Sequence, residues 1–271
     1  MTLKPDSDTA AVDHGLQEGI SKKKRGMNPL VSIISVVLNG ADTFEETIVS
    51  VKEHLTSEIE YIVIDGGSRD GTLELIRRHE PIIDYWISEP DKGIYDALNK
   101  GLKAARGHFF FVLNVGDKLI ELPYSELVEA KQQGGDVILF DVLLSNKKII
   151  KSQIDYRTRF GNTIHHQGAF YRRELNVTFD LRYKVYSDFD LNQKLVLQRK
   201  KFIKFNKVIS YHALDGISNE RKYRGEYFSI IRKNFGTFWV IVGFLYIWQG
   251  EMRIKIKNMI GYDNNHERIT P

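Results

Sequence analysis

Phe109-Phe110-Phe111-Val112-Leu113 is the stretch that leaves this chain the fewest folds. Five consecutive bulky apolar residues fit a strand buried on both faces. Such strands belong to parallel sheets covered by helices on either side. The run ends at once in Asn114-Val115-Gly116-Asp117, small and polar residues with one carboxylate. In an open α/β sheet the carboxyl ends of the strands form the crevice where ligands bind. A lone Asp there can hold a divalent cation against a diphosphate. Asn, Gly and Asp are equally the residues of a plain turn.

Two earlier runs have the same character, Val31 to Val37 and Tyr61 to Ile64. After the first, Asp42 and Glu45 resemble a capping box, and Phe44, Ile48, Val51 and Leu55 recur at helical spacing. After the second comes a glycine-rich turn, Asp65 to Thr72, and a helix that Pro81 stops. A short strand near Tyr85 to Ile87 leads into a helix marked by Ile94, Ala97, Leu98 and Leu102. This alternation predicts a doubly wound, mostly parallel sheet. The second half reads differently: a helix near Tyr124 to Gln132, a hairpin around Ser145-Asn146, a helix after Ser187, and a strand from Phe202 to Ile209. Leu214 to Ser218 is read as a turn-rich loop. Phe238 to Trp248 is nearly all apolar or aromatic, and shorter than the roughly 20 residues that a spanning helix needs. Two readings stay open for it: a core helix, or an interfacial segment with Trp239, Tyr246 and Trp248 at headgroup level. The chain has no Cys, which excludes disulfides, thiolate metal sites and a Cys nucleophile. A net charge of +4 favours anionic ligands or lipid but is too small and too evenly spread to argue nucleic acid.

Neither G-x-G-x-x-G nor a Walker A sequence is present, so the glycine-rich turn is not a dinucleotide or P-loop fingerprint. The order of motifs is more telling. Val31 to Gly40, Ile64 to Thr72, Ser88-Glu89-Pro90-Asp91-Lys92-Gly93-Ile94-Tyr95-Asp96, Leu113 to Asp117, and Ser187-Asp188-Phe189-Asp190-Leu191 together resemble a family 2 glycosyltransferase of the bacterial exopolysaccharide, colanic-acid or O-antigen type. The resemblance covers about residues 30 to 218 and implies the GT-A fold: a Rossmann-like, mostly parallel sheet with an acceptor-side half, here followed by a helical C-terminal tail. It also implies roles. Val36 and Leu38 line the nucleobase pocket, and Asp65 holds the base or its ribose, with Gly66 where the family has a second Asp. Asp91 and Lys92 approach the ribose and diphosphate. Asn114 and Gly116 stand where the Asp-x-Asp region has acids, leaving Asp117 as the metal ligand for Mn2+ or Mg2+. Asp188 is the catalytic base, with Ser187 in place of the family's Glu. His166 and Gln167 lie on the acceptor side; His212 is weighed as a metal ligand and as a packed strand-end residue, the second being favoured.

These roles predict an inverting transfer of a sugar from a UDP- or GDP-sugar to a saccharide or lipid-linked saccharide, in a cytoplasmic protein with inner-leaflet contact left open. They require Asp117 and Asp188 to face a common cavity. The expected organisation is a disordered leader over 1–28, the transferase domain over 29–218, and a basic, apolar helical segment over 219–271. A non-catalytic nucleotide-sugar-binding protein is the rival reading, motivated by the missing acids at Asn114, Gly116 and Ser187. A nucleotidyltransferase is the weaker one, since Leu38 to Ala41 offers no basic residue.

Overall fold

A computed structural model describes residues 17–20, 28–213 and 221–259. The loop expected at 214–218, and the boundary drawn beside it, lie outside the described residues. The apolar runs form the strands they predict. β2 (Val31–Val37), β3 (Ile59–Asp65), β4 (Tyr85–Ser88) and β5 (Phe109–Val112) are mutually parallel in the order β4-β3-β2-β5. Every residue of β2, β3 and β5 is buried. Successive side chains of a strand point to opposite faces, and β5 feeds two cores accordingly. Phe109 and Phe111 join α1 (Phe44–Lys52), α2 (Thr72–Arg78) and α4 (Tyr124–Gln132) on one face. Phe110 and Val112 join α3 (Ile94–Ala104) and α5 (Ser187–Leu197) on the other. Gly101 lets α3 lie directly on β2, since a Cβ there would stand 2.5 Å from Ile34 Cγ2.

The sheet continues beyond β5 through a strand that hydropathy does not mark, β9 (Ala169–Arg172), antiparallel to both β5 and β7 (Val137–Leu144). Aromatic stacking carries this junction: Phe111 on Phe170 at 4.5 Å and Phe110 on Tyr171 at 5.1 Å. β10 (Phe202–His212) then runs parallel to β7, with β6 (Lys118–Leu119) on its far edge and β8 (Ile149–Lys151) hairpinned to β7. β1 (Gln17–Ile20), inside the leader expected to be disordered, pairs antiparallel with β4. Of the ten strands among the described residues, six, β2, β3, β4, β5, β7 and β10, share one direction. The capping box expected at Asp42 is absent. Thr43 precedes α1 without a side-chain cap, and Gly40 O accepts the amides of Thr43 and Phe44 instead.

A third core lies at the C-terminal side. Phe160, Phe189 and Tyr227 pack with Ile230 and Ile231 of α6 (Arg224–Phe235) and with Trp239, Val242 and Ile247 of α7 (Thr237–Met259). Gly236, at φ 89°, ends α6 and turns the chain into α7. Among the described residues no helix is long and apolar enough to cross a membrane.

Candidate active site

Three loops meet where β2, β3 and β4 end. Asn39, at φ 51°, donates its backbone amide to the Ser68 hydroxyl oxygen at 2.7 Å, and its side-chain oxygen accepts from Arg69 N at 2.9 Å. These bonds fasten the β2 loop to the β3 loop. Asp65 is fully buried. Its carboxylate accepts from Gly67 N, Ser68 N and the Ser88 hydroxyl, the last at 2.6 Å, and from the Ser68 hydroxyl. A carboxylate so surrounded holds the turn together and offers a ligand little open surface. The neighbouring Gly66 has a clearer consequence. A Cβ there would collide with the Asp91 carboxylate and come within 3.4 Å of Leu38 Cδ1. Where the family resemblance implies a second acid on residue 66, Asp91 fills the space from the next loop. Leu38, Gly66 and Asp91 thus form one cluster, with Val36 below it in β2 and Leu38 59 % exposed.

The second group gathers around the 3₁₀ turn His166–Gly168, which two adjacent residues use in opposite directions. Gln167 Nε2 donates to Asp117 Oδ2. His166 Nε2 lies 3.0 Å from Asn114 Nδ2, and its Nδ1 lies 3.5 Å from Asp188 Oδ2. Donation by the Asn114 amide leaves the ring proton on Nδ1, directed at Asp188. Asp188, in the first turn of α5, also receives the Tyr95 hydroxyl at 3.0 Å, which stands 2.5 Å from Val185 O as well. Burial pushes the Asp188 carboxyl upward, but His166, Tyr95 and the Phe189 amide outweigh it and hold it below its ordinary value. Burial and the Asp188 charge push the Tyr95 phenol up, so it stays a proton donor. Ser187 accepts from Asp180 N at 2.6 Å and anchors the preceding segment to α5.

A cavity of about 520 Å³ opens over this group. Lys92, Asn114, His166 and Asp188 line it, as do Tyr95, Leu181, Tyr186 and His212. Asp117 does not line it. Its Oδ1 accepts from Ala213 N at 3.0 Å and lies 2.9 Å from His212 Nδ1, so it sits one side chain behind the cavity wall. Gly116, at φ 88°, donates its amide to Thr47, whose hydroxyl donates to Asp117 O at 2.8 Å, and this pair sets the turn. Asp188 thus lies on the cavity wall and Asp117 behind His212, so the expectation that both carboxylates face a common cavity holds for Asp188 alone; Val36, Leu38, Asp65 and Asp91, at the ends of β2, β3 and β4, do not line it either.

Residues 32–204 match the family described as Glycosyl transferase family 2. The chain belongs to that family. A PGL/p-HBAD biosynthesis glycosyltransferase of Mycobacterium tuberculosis is 29 % identical over 205 residues, 70 % of this chain and 80 % of the relative. The putative teichuronic acid biosynthesis glycosyltransferase TuaG of Bacillus subtilis is 34 % identical over 93 residues, 33 % and 37 % of the two chains. Among solved structures, S. aureus TarS 1-349 in complex with UDP-GlcNAc superposes with a TM-score of 0.61 at 16 % identity, covering 74 % of this chain and 64 % of that one. The mannosyltransferase PcManGT from Pyrobaculum calidifontis, in complex with GDP-Man and Mn2+, gives 0.59 at 17 % identity over 82 % and 71 %. Likeness at this identity shows the fold, which is GT-A. The protein is a glycosyltransferase.

One oxygen–nitrogen pair of the site could share a divalent ion. Asp117 and His212 bring one oxygen and one nitrogen to the same point. The side-chain oxygens of Asn114 and Gln167, next to them, are buried without a hydrogen-bond partner. Among the described residues no group of three or more His, Cys, Asp or Glu stands ready for a metal. An ion shared by these two groups would have to take its remaining ligands from a diphosphate and water. Two residues of the site have partners that spacing does not show. His212, for which packing at a strand end is the favoured role, closes β10 and lies 2.9 Å from Asp117 Oδ1. Tyr95 was read only as part of a motif; its reach to Asp188, 93 positions away, is a tertiary fact.

Proposed function

We propose that this glycosyltransferase moves a sugar from a UDP- or GDP-sugar to a saccharide acceptor carried on a lipid, with inversion at the anomeric carbon, in surface polysaccharide synthesis. The observation that carries the reading is Asp188: a carboxylate on the cavity wall, kept ionised by His166 and Tyr95, and joined through His166 to Asn114 at the end of the central strands. TarS with UDP-GlcNAc, PcManGT with GDP-Man and the named role of TuaG support the donor and pathway class. A peripheral position at the inner membrane face is the setting that a lipid-borne acceptor calls for.

The chemistry follows from the groups present. A sugar hydroxyl is a weak nucleophile, so Asp188 takes its proton as the oxygen bonds to the anomeric carbon. The bond from that carbon to the nucleoside diphosphate breaks on the opposite side, and a single displacement inverts the centre. Leu38 and Asp91 receive the nucleoside, Lys92 the charge of its phosphates, and Asn114 with Gly116 the sugar-diphosphate end. Asp117 and His212 would hold a divalent ion, which would supply positive charge to the leaving diphosphate. His166 keeps Asp188 oriented, and Gln167 keeps Asp117 in place.

A thermal-shift series tests the donor class. A matching nucleotide sugar with Mn2+, at about one hundred times its dissociation constant, stabilises by about 2.7 kcal/mol. That is expected to raise the melting temperature by about 5–10 °C for a domain of this size. UDP-, GDP- and other nucleotide sugars all leaving it unchanged would remove the donor assignment. The Gly66 cluster gives a sharper check. Gly66→Ala drives the Asp91 carboxylate from its place beside Leu38. We expect the unliganded protein to keep its stability within about 0.5 kcal/mol while the nucleoside diphosphate binds about tenfold more weakly by calorimetry, a loss of about 1.4 kcal/mol. Unchanged affinity would take Asp91 out of the nucleoside site.

A further inference from the structure

We infer that the outer face of α7 is the surface by which this protein lies on an anionic lipid bilayer. The inference deepens the peripheral setting proposed above, on which it rests, by naming the surface; it is argued from the α6–α7 hairpin, and its test uses neither donor nor acceptor. The helix is apolar on two sides. Its inner side is accounted for: Trp239 stacks on Phe160 at 5.8 Å, Arg159 lies over the Trp239 ring at 4.9 Å, and Gly243 lets the helix approach Phe160 and Ile231 closely. Trp239 is thus a core residue rather than a headgroup one. The outer side is not covered by any described residue to the same degree. Phe238, Ile241, Phe244, Leu245 and Trp248 are 68 %, 57 %, 58 %, 55 % and 54 % exposed.

At 100° per residue these five positions fall within an arc of about 120°, and the stripe runs about 15 Å along the helix axis. A contiguous exposed stripe of this kind marks an interaction surface rather than ordinary surface scatter. The charge around it selects the partner. Residues 221–259 hold eight Lys or Arg against two Glu, a net +6, whereas the whole chain carries only +4. The rest of the molecule is therefore slightly acidic, and the excess positive charge is concentrated on the helical hairpin. Arg232 lies in the last turn of α6, and Arg253 follows the stripe in α7; both are exposed. Tyr246, 42 % exposed, and Tyr156, 65 % exposed, approach Phe160 from the flank with their rings, giving the stripe an amphipathic edge. Apolar residues at the centre, aromatic rings at the edge and cations around them match a helix lying in the interface of an anionic bilayer.

The hairpin is held firmly enough to present that face. Arg224 of α6 pairs with Glu251 of α7 at 2.5 Å, and Lys233 bonds Asp190 of α5 at 2.8 Å. Tyr223, just before α6, lines the active-site cavity, so the docked hairpin adjoins the acceptor side. An acceptor anchored in the same bilayer would meet the cavity without leaving it.

Flotation through a density gradient decides the matter, using the full chain with vesicles of phosphatidylcholine alone and of phosphatidylcholine with phosphatidylglycerol. We expect the protein to rise with the anionic vesicles, at least about tenfold more than with the neutral ones, and high salt to reverse most of this. The double variant Ile241→Glu with Leu245→Glu should stay at the bottom while keeping its circular dichroism and melting temperature, because neither side chain is in the core. Arg232→Gln with Arg253→Gln should lower the preference for anionic vesicles and leave the fold intact. Three results would overturn the inference: no flotation of the unmodified chain, equal flotation of the Glu double variant, or a dimer in sedimentation that the Glu variant converts to monomer while neither protein floats.

Discussion

Asp188→Asn is expected to lower the rate of sugar transfer by about a hundred- to ten-thousand-fold, the range that a positioned general base contributes. The substitution keeps the size of the side chain and its acceptance of the Tyr95 hydroxyl at 3.0 Å. What it removes is the lone pair able to take the acceptor proton. In the proposed reading donor binding belongs to the β2–β4 loops, so the thermal shift given by a nucleotide sugar should persist. This pairing separates the two readings of the site. If unmodified protein binds the donor and transfers nothing to any acceptor, the chain is a binding protein on an enzyme's fold. If Asp188→Asn transfers at the original rate, the base is another group, and His166 is next to be tried. The pH profile adds a check. His166, Tyr95 and the Phe189 amide hold the Asp188 carboxyl below its ordinary value despite burial. The acid limb of the turnover profile should therefore fall below the usual aspartate range. The sign for stability is the same: the depressed value favours the folded state above the unfolded-state pKa, and this support is lost as pH falls through the folded one.

The central strands were legible because local chemistry over-determines them. Phe109 to Val112 has apolar side chains for both faces of a sheet, and both faces are covered by helices. Asp188 opens a helix where the motif put it. β9 was not legible. Its four residues, Ala169 to Arg172, are too few to show a period, and they owe their place to stacking on Phe110 and Phe111 about 60 positions earlier. The same holds within the site. That Asp65 lies at a strand end follows from sequence; that Ser68 and Ser88 occupy its carboxylate does not. Asp91 beside Gly66 is a contact between loops, invisible to spacing. For Phe238 to Trp248, hydropathy left a core helix and an interfacial one open because α7 is apolar on both sides, and one side does pack inward.

Asp117→Ala should unfold the protein about 5–10 °C earlier, whereas Asp117→Asn should leave it close to the original stability. The carboxylate is only 2 % exposed and accepts from Gln167, from Ala213 and from the His212 ring. Truncation strands all three donors. A buried donor without an acceptor costs about 1–3 kcal/mol, and water entering beside His212 relieves part of the total, so a net loss of about 2–4 kcal/mol is expected. An amide in the same place keeps one oxygen for Ala213 and His212. Its new N–H₂ meets Gln167, whose own side-chain oxygen is buried without a partner. Turning the Gln167 amide over brings that oxygen to the new donor and restores the bond. Stability and ion binding then come apart. Both substitutions remove the negative charge that a divalent ion needs beside His212, so neither variant should show the extra thermal shift that Mn2+ adds to a nucleotide sugar. Were Asp117→Asn to keep the full Mn2+ increment, the ion would have to be held elsewhere, and Asp117 would be left as the group that fastens the ends of β5 and β10 to the His166–Gly168 turn.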